Sequence, residues 1–153
     1  MNTLGKGGSL RPARPSDSVL LFNWRNEKTT RENSFNTDPL VYGDHEKWFK
    51  KALADPDVRI FIYEESEEAA GQVRIVREGS FREISYSIDA ERRGRGMAVS
   101  MLKLLEEQLR AAGEGAVLLG RVRPGNTASI RVFEKLGYSR EDEDDEIRFT
   151  KQI

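Results

Sequence analysis

The sequence predicts one mixed α+β domain, and two patterns support this fold class. Three short segments lie between residues 58 and 89: the first is rich in Ile, Phe and Tyr, and the other two place apolar side chains at alternate positions, as the strands of a half-buried antiparallel sheet do. A strand, an amphipathic helix and another strand then follow one another between about residues 81 and 122. That order is a βαβ unit and implies one parallel strand pair. The length of 153 residues suits a single domain, and the sequence contains no internal repeat or linker.

The strands are predicted from short apolar or alternating runs that are bounded by turn residues. They comprise residues 9–14, 58–64, 71–77, 81–89, 116–122 and 147–153. The first is expected at a sheet edge, because prolines lie in it and directly after it. In the fourth, Tyr86 falls on the face opposite Glu83. Residues 1–8 are polar and glycine-rich, so we expect a disordered tail there and a domain over residues 9–153.

The helices are predicted where capping residues precede apolar side chains at helical spacing. The expected starts are Ser16 or Asp17, Asp44, Ala98 and Asn126. The third helix has the clearest spacing, and Gly113 is suitable for its left-handed C-terminal position. Residues 26–38 are polar and lack periodicity, which predicts a loop.

Composition excludes several classes of function. The chain has no cysteine and a single histidine, so we expect no disulfide, no cysteine nucleophile and no metal site. Lys and Arg total 25 and Asp and Glu total 26, and a net charge of −1 gives no general attraction to nucleic acid or to an anionic membrane. No apolar run approaches the roughly 18 residues of a membrane span, and no signal peptide is evident. A cytoplasmic location is therefore expected.

Residues 89–98 join the end of a strand to the start of an amphipathic helix and are the most informative stretch. Gly94 and Gly96 allow backbone N–H groups to approach a ligand, and the first turn of a helix leaves its N–H groups unpaired. With the helix dipole and three arginines, this predicts a phosphate or pyrophosphate site. The alternatives are a plain basic turn or a nucleic-acid contact, and the latter is disfavoured because no aromatic residues are interleaved.

Two blocks of the sequence resemble the GNAT acetyltransferase family. Residues 93–98, Arg-Gly-Arg-Gly-Met-Ala, are similar to its signature Gln/Arg-x-x-Gly-x-Gly/Ala, which follows the fourth strand. Residues 126–138 contain the second block, Asn-x-x-Ser-x-x-x-Phe-x-Lys-Leu-Gly-Tyr. The resemblance covers roughly residues 9–153. It implies a mostly antiparallel central sheet with helices on both faces, in which the parallel strands four and five splay apart.

The resemblance also implies that acetyl-CoA is the co-substrate, with its pantetheine arm between strands four and five and its pyrophosphate on the glycine-rich turn. The coenzyme-binding residues implied are Ser87, Ile88, Arg93, Gly94, Arg95, Gly96, Met97, Ala98, Val99, Asn126, Ser129, Phe133 and Lys135. A plain helix N-cap is the other interpretation of Asn126, and the two roles are compatible.

Acetyl transfer to an amine requires removal of a proton from the ammonium form, and Glu83 and His45 are the candidate bases. The alternative for Glu83 is an exposed strand residue paired with an arginine, and the alternative for His45 is a surface histidine in the first turn of a helix. The family's usual acid is a tyrosine seven residues after the asparagine, where this chain has Phe133. Tyr138 is then the candidate acid nearest in sequence, although core packing is the more ordinary role at its position. Direct transfer is expected, because no cysteine is present to carry an acyl group.

The segment before the second strand is similar to a narrower branch, which acetylates nucleotide-linked amino sugars as in pseudaminic acid biosynthesis. On this resemblance Arg25, Arg31, His45 and Trp48 bind the acceptor. An arginine suits a pyrophosphate, and an aromatic ring suits the face of a sugar. The ordinary alternative places the tryptophan in the core and the arginines in surface ion pairs.

Two other functions stay open. A protein N-terminal acetyltransferase of the ribosomal-protein type would use negative charge, which residues 64–68 and 141–146 could supply. A non-catalytic acetyl-CoA-binding domain would explain why Phe133 replaces the usual tyrosine of the family. The expected partner is a small-molecule amine, with a homodimer also open.

Overall fold

The computed structural model describes residues 7–153. The strands are β1 (Gly8–Pro12), β2 (Val58–Glu65), β3 (Glu68–Glu78), β4 (Phe81–Ile88), β5 (Val117–Val122), β6 (Ser139–Asp142) and β7 (Ile147–Gln152). The helices are α1 (Ser18–Asn26), α2 (Lys28–Glu32), α3 (Tyr42–Ala54), α4 (Met97–Ala111) and α5 (Thr127–Lys135). Within these residues the strands form one sheet in the order β1-β2-β3-β4-β5-β7-β6.

Side chains of β2 alternate between two hydrophobic cores, which explains why helices cover both faces of the sheet. Ile62 belongs to the core that contains Leu21 of α1 and Phe49 of α3. Its chain neighbour Phe61 belongs to the core that contains Leu105 of α4. Burying a side chain of this size contributes about 1.5–3 kcal/mol, so both helical layers are stabilised by the same strand.

The sheet opens between β4 and β5, the one parallel pair among the described strands. Their pairing extends from Phe81 opposite Val117 to Ile84 opposite Gly120. Beyond these positions the two strands continue without pairing to each other. The predicted fold class and its parallel pair are therefore confirmed.

Two differences concern the helices in the first third of the chain. Residues 28–32 form helix α2 where a loop was expected, because Glu27 caps the helix and accepts hydrogen bonds from the backbone N–H groups of Thr29 and Thr30. Helix α3 begins at Tyr42, so Asp44 lies in its first turn and does not cap it. Helix α1 begins at Ser18, and its N-cap residue is Asp17, one of the two predicted cap positions, although the Asp17 side chain makes no capping bond.

The two ends of the predicted domain also differ in detail. β1 begins at Gly8, one residue inside the expected tail, and residues 1–6 lie outside the described part of the chain. The last strand is one half of a hairpin, since β6 pairs antiparallel with β7 and takes in the first two residues of the acidic run. Over residues 7–153, no helix has the length and apolar character needed to cross a membrane.

Candidate active site

The glycine-rich turn between β4 and α4 has a backbone that only glycine adopts without strain. Gly94 has φ +77° and Gly96 has φ +75°, both in the left-handed region. Gly96 is the N-cap residue of the 15-residue helix α4 and provides no side-chain cap. The N–H groups of the first helical turn are thus left for a ligand, and the helix dipole favours an anion there.

The arginines of this turn already have partners on the protein. Arg92 forms ion pairs with Asp89 and Glu68. Nη2 of Arg93 donates to Oε1 of Glu27 over 2.7 Å. Burial alone would raise the pKa of Glu27, but this bond and those from backbone N–H groups lower the pKa to about 2. Much of the positive charge of the side chains is therefore compensated, and the backbone N–H groups remain as the anion-binding feature.

A cavity of about 520 Å³ extends from this turn along the opening in the sheet, and we call it the turn cavity. Ten residues predicted to bind the coenzyme line it: Ser87, Ile88, Arg93, Gly94, Gly96, Met97, Ala98, Val99, Asn126 and Ser129. Arg95 and Lys135 do not line it, and Phe133 lines a neighbouring cavity instead. Arg131, which sequence reasoning missed, lines the turn cavity one helical turn before Lys135 on α5.

The neighbouring cavity has a volume of about 370 Å³ and contains four arginines, Arg25, Arg31, Arg74 and Arg121; we call it the arginine cavity. Residues 83–87 of β4 all line it, from both faces of the strand, because it enters the opening of the sheet. The residues shared by both cavities are Thr30, Asn33, Ser34, Tyr86, Ser87, Asn126 and Ser129. The two cavities are therefore adjacent at the splayed end of β4.

Three of the four residues predicted to bind the acceptor line the arginine cavity: Arg25, Arg31 and Trp48. Cζ of Arg25 lies 4.1 Å from the centre of the Trp48 ring. Trp48 is half-buried, so its ring is not sealed in the core. Arg31 donates from Nε to the backbone oxygen of Asn26 over 3.0 Å, which holds its guanidinium at the cavity wall.

His45 is only 2% exposed and lines neither cavity. Its Nε2 lies 2.9 Å from the backbone oxygen of Ser18, which can only accept, so Nε2 carries the proton. Nδ1 then accepts from Nη1 of Arg25 over 2.9 Å. Burial, assisted by the charge of Arg25, lowers the pKa of His45. Both ring nitrogens are engaged within the fold, which argues against His45 as the base and makes it a residue that positions Arg25.

Glu83 is the candidate base that the structure retains, since it lines the arginine cavity on β4. Its Oε2 lies 3.9 Å from Nη1 of Arg121. Arg121 binds Glu146 more closely, at 2.7 Å. The pairing of Glu83 is therefore loose, and its carboxylate is available to a ligand.

The two tyrosines have different environments. Tyr138 lines neither cavity, and its hydroxyl donates to Oε2 of the buried Glu106 over 2.9 Å. Tyr86 lines both cavities, with its hydroxyl 2.8 Å from Oγ of Ser129. Burial raises the pKa of Tyr86, although the bond to Ser129 opposes that shift. Strand alternation predicts that Tyr86 and Glu83 lie on opposite faces of the sheet. Both nevertheless line the arginine cavity, because this cavity enters the opening between β4 and β5.

Solved structures with this fold include three acetyltransferases. AAC(6')-Ib in complex with ribostamycin and coenzyme A is 18% identical, with a TM-score of 0.85 over 95% of this chain and 93% of that one. RimL, a ribosomal-protein acetyltransferase in complex with coenzyme A, is 16% identical, with a TM-score of 0.83 over 96% and 94%. Spermidine N-acetyltransferase from Vibrio cholerae, in complex with coenzyme A and spermine, is 17% identical, with a TM-score of 0.83 over 95% of each chain. At these identities the likeness shows the fold.

The family is shown by the sequence. No curated protein matches the chain significantly. Residues 9–139 nevertheless match the family model described as an acetyltransferase (GNAT) domain. This match over most of the chain leads to one conclusion: the chain belongs to the GNAT acetyltransferase family and is an acyltransferase.

Proposed function

We propose that this protein transfers the acetyl group of acetyl-CoA to the primary amine of a nucleotide-linked amino sugar. The observation that carries the proposal is the junction of the two cavities at Tyr86, Ser87 and Ser129. A donor in the turn cavity and an acceptor in the arginine cavity would meet there. Direct transfer requires such proximity, which can contribute as much as about 7–11 kcal/mol to lowering the barrier.

The turn cavity suits acetyl-CoA in shape and polarity. The open N–H groups at the start of α4 suit its pyrophosphate. The β4 backbone beyond Ile84, unpaired on the β5 side, offers hydrogen bonds to an extended amide-containing arm. When bound, acetyl-CoA supplies an activated acetyl thioester.

The arginine cavity suits a nucleotide-linked sugar. Arg25 and Arg31 provide fixed cations for a diphosphate, and Trp48 provides a flat apolar face for a sugar ring or a base. The acidic runs at residues 64–68 and 141–146, which a peptide acceptor would use, do not line either cavity. The amino-sugar acceptor is therefore the proposal that the described residues favour.

The proton transfers are assigned to Glu83 and Tyr86. Glu83 would take a proton from the ammonium group of the acceptor, directly or through a water. Tyr86, whose pKa is raised by burial, keeps its proton at neutral pH and can donate it at the junction. We expect Glu83→Gln to lower kcat by about 10²–10⁴-fold with unchanged acetyl-CoA affinity.

The test measures thiol release from acetyl-CoA with a panel of amines that includes nucleotide-linked amino sugars, peptides and polyamines. A nucleotide-linked amino sugar should have the highest kcat/KM, and its amine-free analogue should compete with the acceptor and not with acetyl-CoA. Arg31→Ala should raise the acceptor KM about ten- to a hundredfold, whereas the exposed Arg77→Ala should not. Acetylation of peptides alone would indicate a protein N-terminal acetyltransferase, and acetyl-CoA binding without transfer would indicate a non-catalytic domain.

A further inference from the structure

Two arginines of the arginine cavity lie against the same aromatic ring without a bound carboxylate. Cζ of Arg25 is 4.1 Å and Cζ of Arg74 is 5.1 Å from the centre of the Trp48 ring. Among the described residues neither arginine forms an ion pair within 4.0 Å. The neutral His45 accepts from Arg25, and Oγ of Ser85 accepts from Arg74 over a long 3.4 Å. The two guanidinium groups therefore retain uncompensated positive charge.

Burial makes this arrangement costly in the absence of an anion. Nε of Arg74 is buried and has no hydrogen-bond partner within the described part of the chain. Burial lowers the pKa of both arginines, and the proximity of Arg74 lowers that of Arg25 further, to about 10. A guanidinium keeps its proton in proteins, so both groups are charged at neutral pH. Buried cations are ordinarily paired with an acid or kept for a ligand.

The other charged groups of the cavity do not remove the excess. Glu83 and Asp38 are its two acidic lining residues, against four arginines. The carboxylate of Glu83 stabilises the charge of Arg74 electrostatically, but it lies beyond ion-pair distance. Arg121 is neutralised by Glu146 from outside the cavity. Within residues 7–153, Arg31 donates only to the backbone oxygens of Asn26 and Thr37, so it also keeps its charge. The uncompensated charge therefore lies at Arg25, Arg31 and Arg74, and the first and last of these face the Trp48 ring.

We propose that Arg25, Trp48 and Arg74 form an anion subsite, which binds a phosphate or carboxylate group carried by the acceptor. This inference extends the proposed function and rests on it, because it takes the arginine cavity as the site that holds the acceptor. A guanidinium binds an oxyanion through two parallel N–H groups, and Nε of Arg74 is one unused donor of this kind. His45 fixes the guanidinium of Arg25, so part of the ordering required for binding is done in advance.

The subsite selects against polycations. Spermine or an aminoglycoside would bring positive charge to a cavity that already has an excess of it, so these amines should be poor acceptors. An amine with a nearby phosphate or carboxylate should be a good acceptor.

The binding test uses protein saturated with coenzyme A, so that anions do not compete for the glycine-rich turn. Inorganic pyrophosphate and malonate are titrated calorimetrically, as phosphate and carboxylate probes. Arg74→Gln and Arg25→Gln should each weaken binding of the preferred probe about ten- to a hundredfold. The matched control Arg77→Gln, on the same strand and exposed, should leave it unchanged. Equal affinity in wild type and both variants, or no binding of either probe, would overturn the proposal.

A thermal-melting readout separates a ligand subsite from a structural role. Without anions Arg74→Gln should melt at or above the wild-type temperature, because it removes an uncompensated buried charge. The preferred probe should raise the melting temperature of wild type but not of the variant. A large loss of stability in Arg74→Gln that the probe does not influence would show that the arginine serves the fold alone.

Acceptor pairs distinguish this inference from the proposed function. Glucosamine 6-phosphate and glucosamine differ in one phosphate, and glutamate and glutamate dimethyl ester differ in their carboxylates. If an anionic amine is acetylated well and nucleotide-linked amino sugars are not, the subsite stands and the proposed acceptor fails. If glucosamine and glutamate dimethyl ester are acetylated as well as their anionic counterparts, the subsite is overturned and the acetyltransferase activity stands.

Discussion

At the scale of the residue, burial and hydrogen bonding decide which titratable groups can take part in catalysis. His45 has a suitable ordinary pKa, but the fold occupies both of its ring nitrogens. Tyr138 is held by Glu106 in the core, whereas Tyr86 reaches the junction of the two cavities. Glu83 is held only loosely by Arg121. The four candidates therefore divide into two that support the fold and two that can contact a ligand.

The pH dependence of stability should reveal the buried neutral His45. Burial lowers the pKa of His45 below the value of 6.5 that it has in an unfolded chain; the hydrogen bond to Ser18 and the charge of Glu46 oppose this shift, and the charge of Arg25 adds to it. Protons therefore bind preferentially to the unfolded state, and this stabilising contribution is lost as pH falls through 6.5 towards the folded-state pKa. We expect the free energy of unfolding to fall between pH 7.5 and 5.5. His45→Gln should show a smaller fall, since His45 is the only histidine.

Urea unfolding monitored by fluorescence at several pH values measures this difference. The same pH dependence in wild type and His45→Gln would contradict the assignment of a neutral, buried imidazole.

The two tyrosines should differ in turnover and in stability. Tyr86→Phe removes the proposed proton donor and should lower kcat, by up to about 10²–10⁴-fold for a positioned acid, with acetyl-CoA affinity preserved. Tyr138→Phe is the matched control, because it removes a buried hydroxyl outside both cavities. It should lower stability, by about 0.5–1.5 kcal/mol for one lost hydrogen bond, and leave kcat close to wild type. Steady-state kinetics that show the reverse pattern would restore Tyr138 as the acid.

At the scale of the element, the junction between β4 and α4 converts a sequence pattern into an anion site. Two left-handed glycines turn the chain, and the helix begins with its N–H groups uncapped by a side chain. On the other side of the opening, Gly120 of β5 leaves room for the ring of Phe133, because a Cβ at this glycine would lie 2.4 Å from it. The position of the usual family tyrosine is therefore occupied by a ring that packs against β5.

Backbone conformation should matter more than arginine charge for binding acetyl-CoA. Gly96→Val places a β-branched residue at φ +75°, with a strain of order 1–3 kcal/mol. If binding requires this turn, the dissociation constant of acetyl-CoA should rise roughly five- to 150-fold. Arg92→Ala should have less effect, because Arg92 is already paired with Asp89 and Glu68.

Gly79→Val is the control for this comparison. Gly79 also has a positive φ, +61°, but it lies in the hairpin between β3 and β4 and outside both cavities. Gly79→Val should therefore lower stability without changing the dissociation constant of acetyl-CoA measured by calorimetry. Equal, small losses of affinity in Gly96→Val and Arg92→Ala would argue against a backbone site.

At the scale of the whole molecule, one buried carboxylate ties the C-terminal hairpin to the central helix. Glu106 of α4 is 3% exposed and accepts hydrogen bonds from Tyr138 and from Nζ of Lys151, each over 2.9 Å. Lys151 also donates to the backbone oxygen of Leu136 over 2.8 Å, at the end of α5. Helices α4 and α5 and strand β7 are thereby joined at a single point, and none of the three side chains lines either cavity.

Removing this carboxylate should destabilise the protein without impairing catalysis. Glu106→Leu leaves the ammonium of Lys151 and the hydroxyl of Tyr138 without their partner, and breaking a buried pair in this way costs about 3–5 kcal/mol. At about 2–4 °C per kcal/mol for a chain of this size, the melting temperature should fall by roughly 6–20 °C. Turnover per folded molecule should not change, because Glu106 lines neither cavity.

The neighbouring Glu107→Leu is the control, since Glu107 is exposed on the same helix. Calorimetric melting of the two variants compares the buried and the exposed carboxylate directly. Similar melting temperatures for both would show that the buried network contributes little to stability.

Much of the fold could be predicted from the sequence, because the features that specify it are local. Alternating apolar residues marked the strands, helical spacing marked α4, and Asn126 was recognised as the cap of α5, where its side chain accepts from the N–H of Ser129. Ten of the residues predicted to bind the coenzyme line one cavity for the same reason, since most of them lie in two short contiguous blocks.

The charge and the proton chemistry of the site were decided by the tertiary structure. Arg25, Trp48 and Arg74 come from α1, α3 and β3, and no spacing along the chain indicates that they meet. The same holds for His45, which is removed from solvent by elements distant in sequence, and for Tyr86, which reaches the site through a gap in the sheet. Local patterns specify secondary structure and backbone anion sites. Burial, and with it the availability of a proton or a charge, depends on which distant elements pack together.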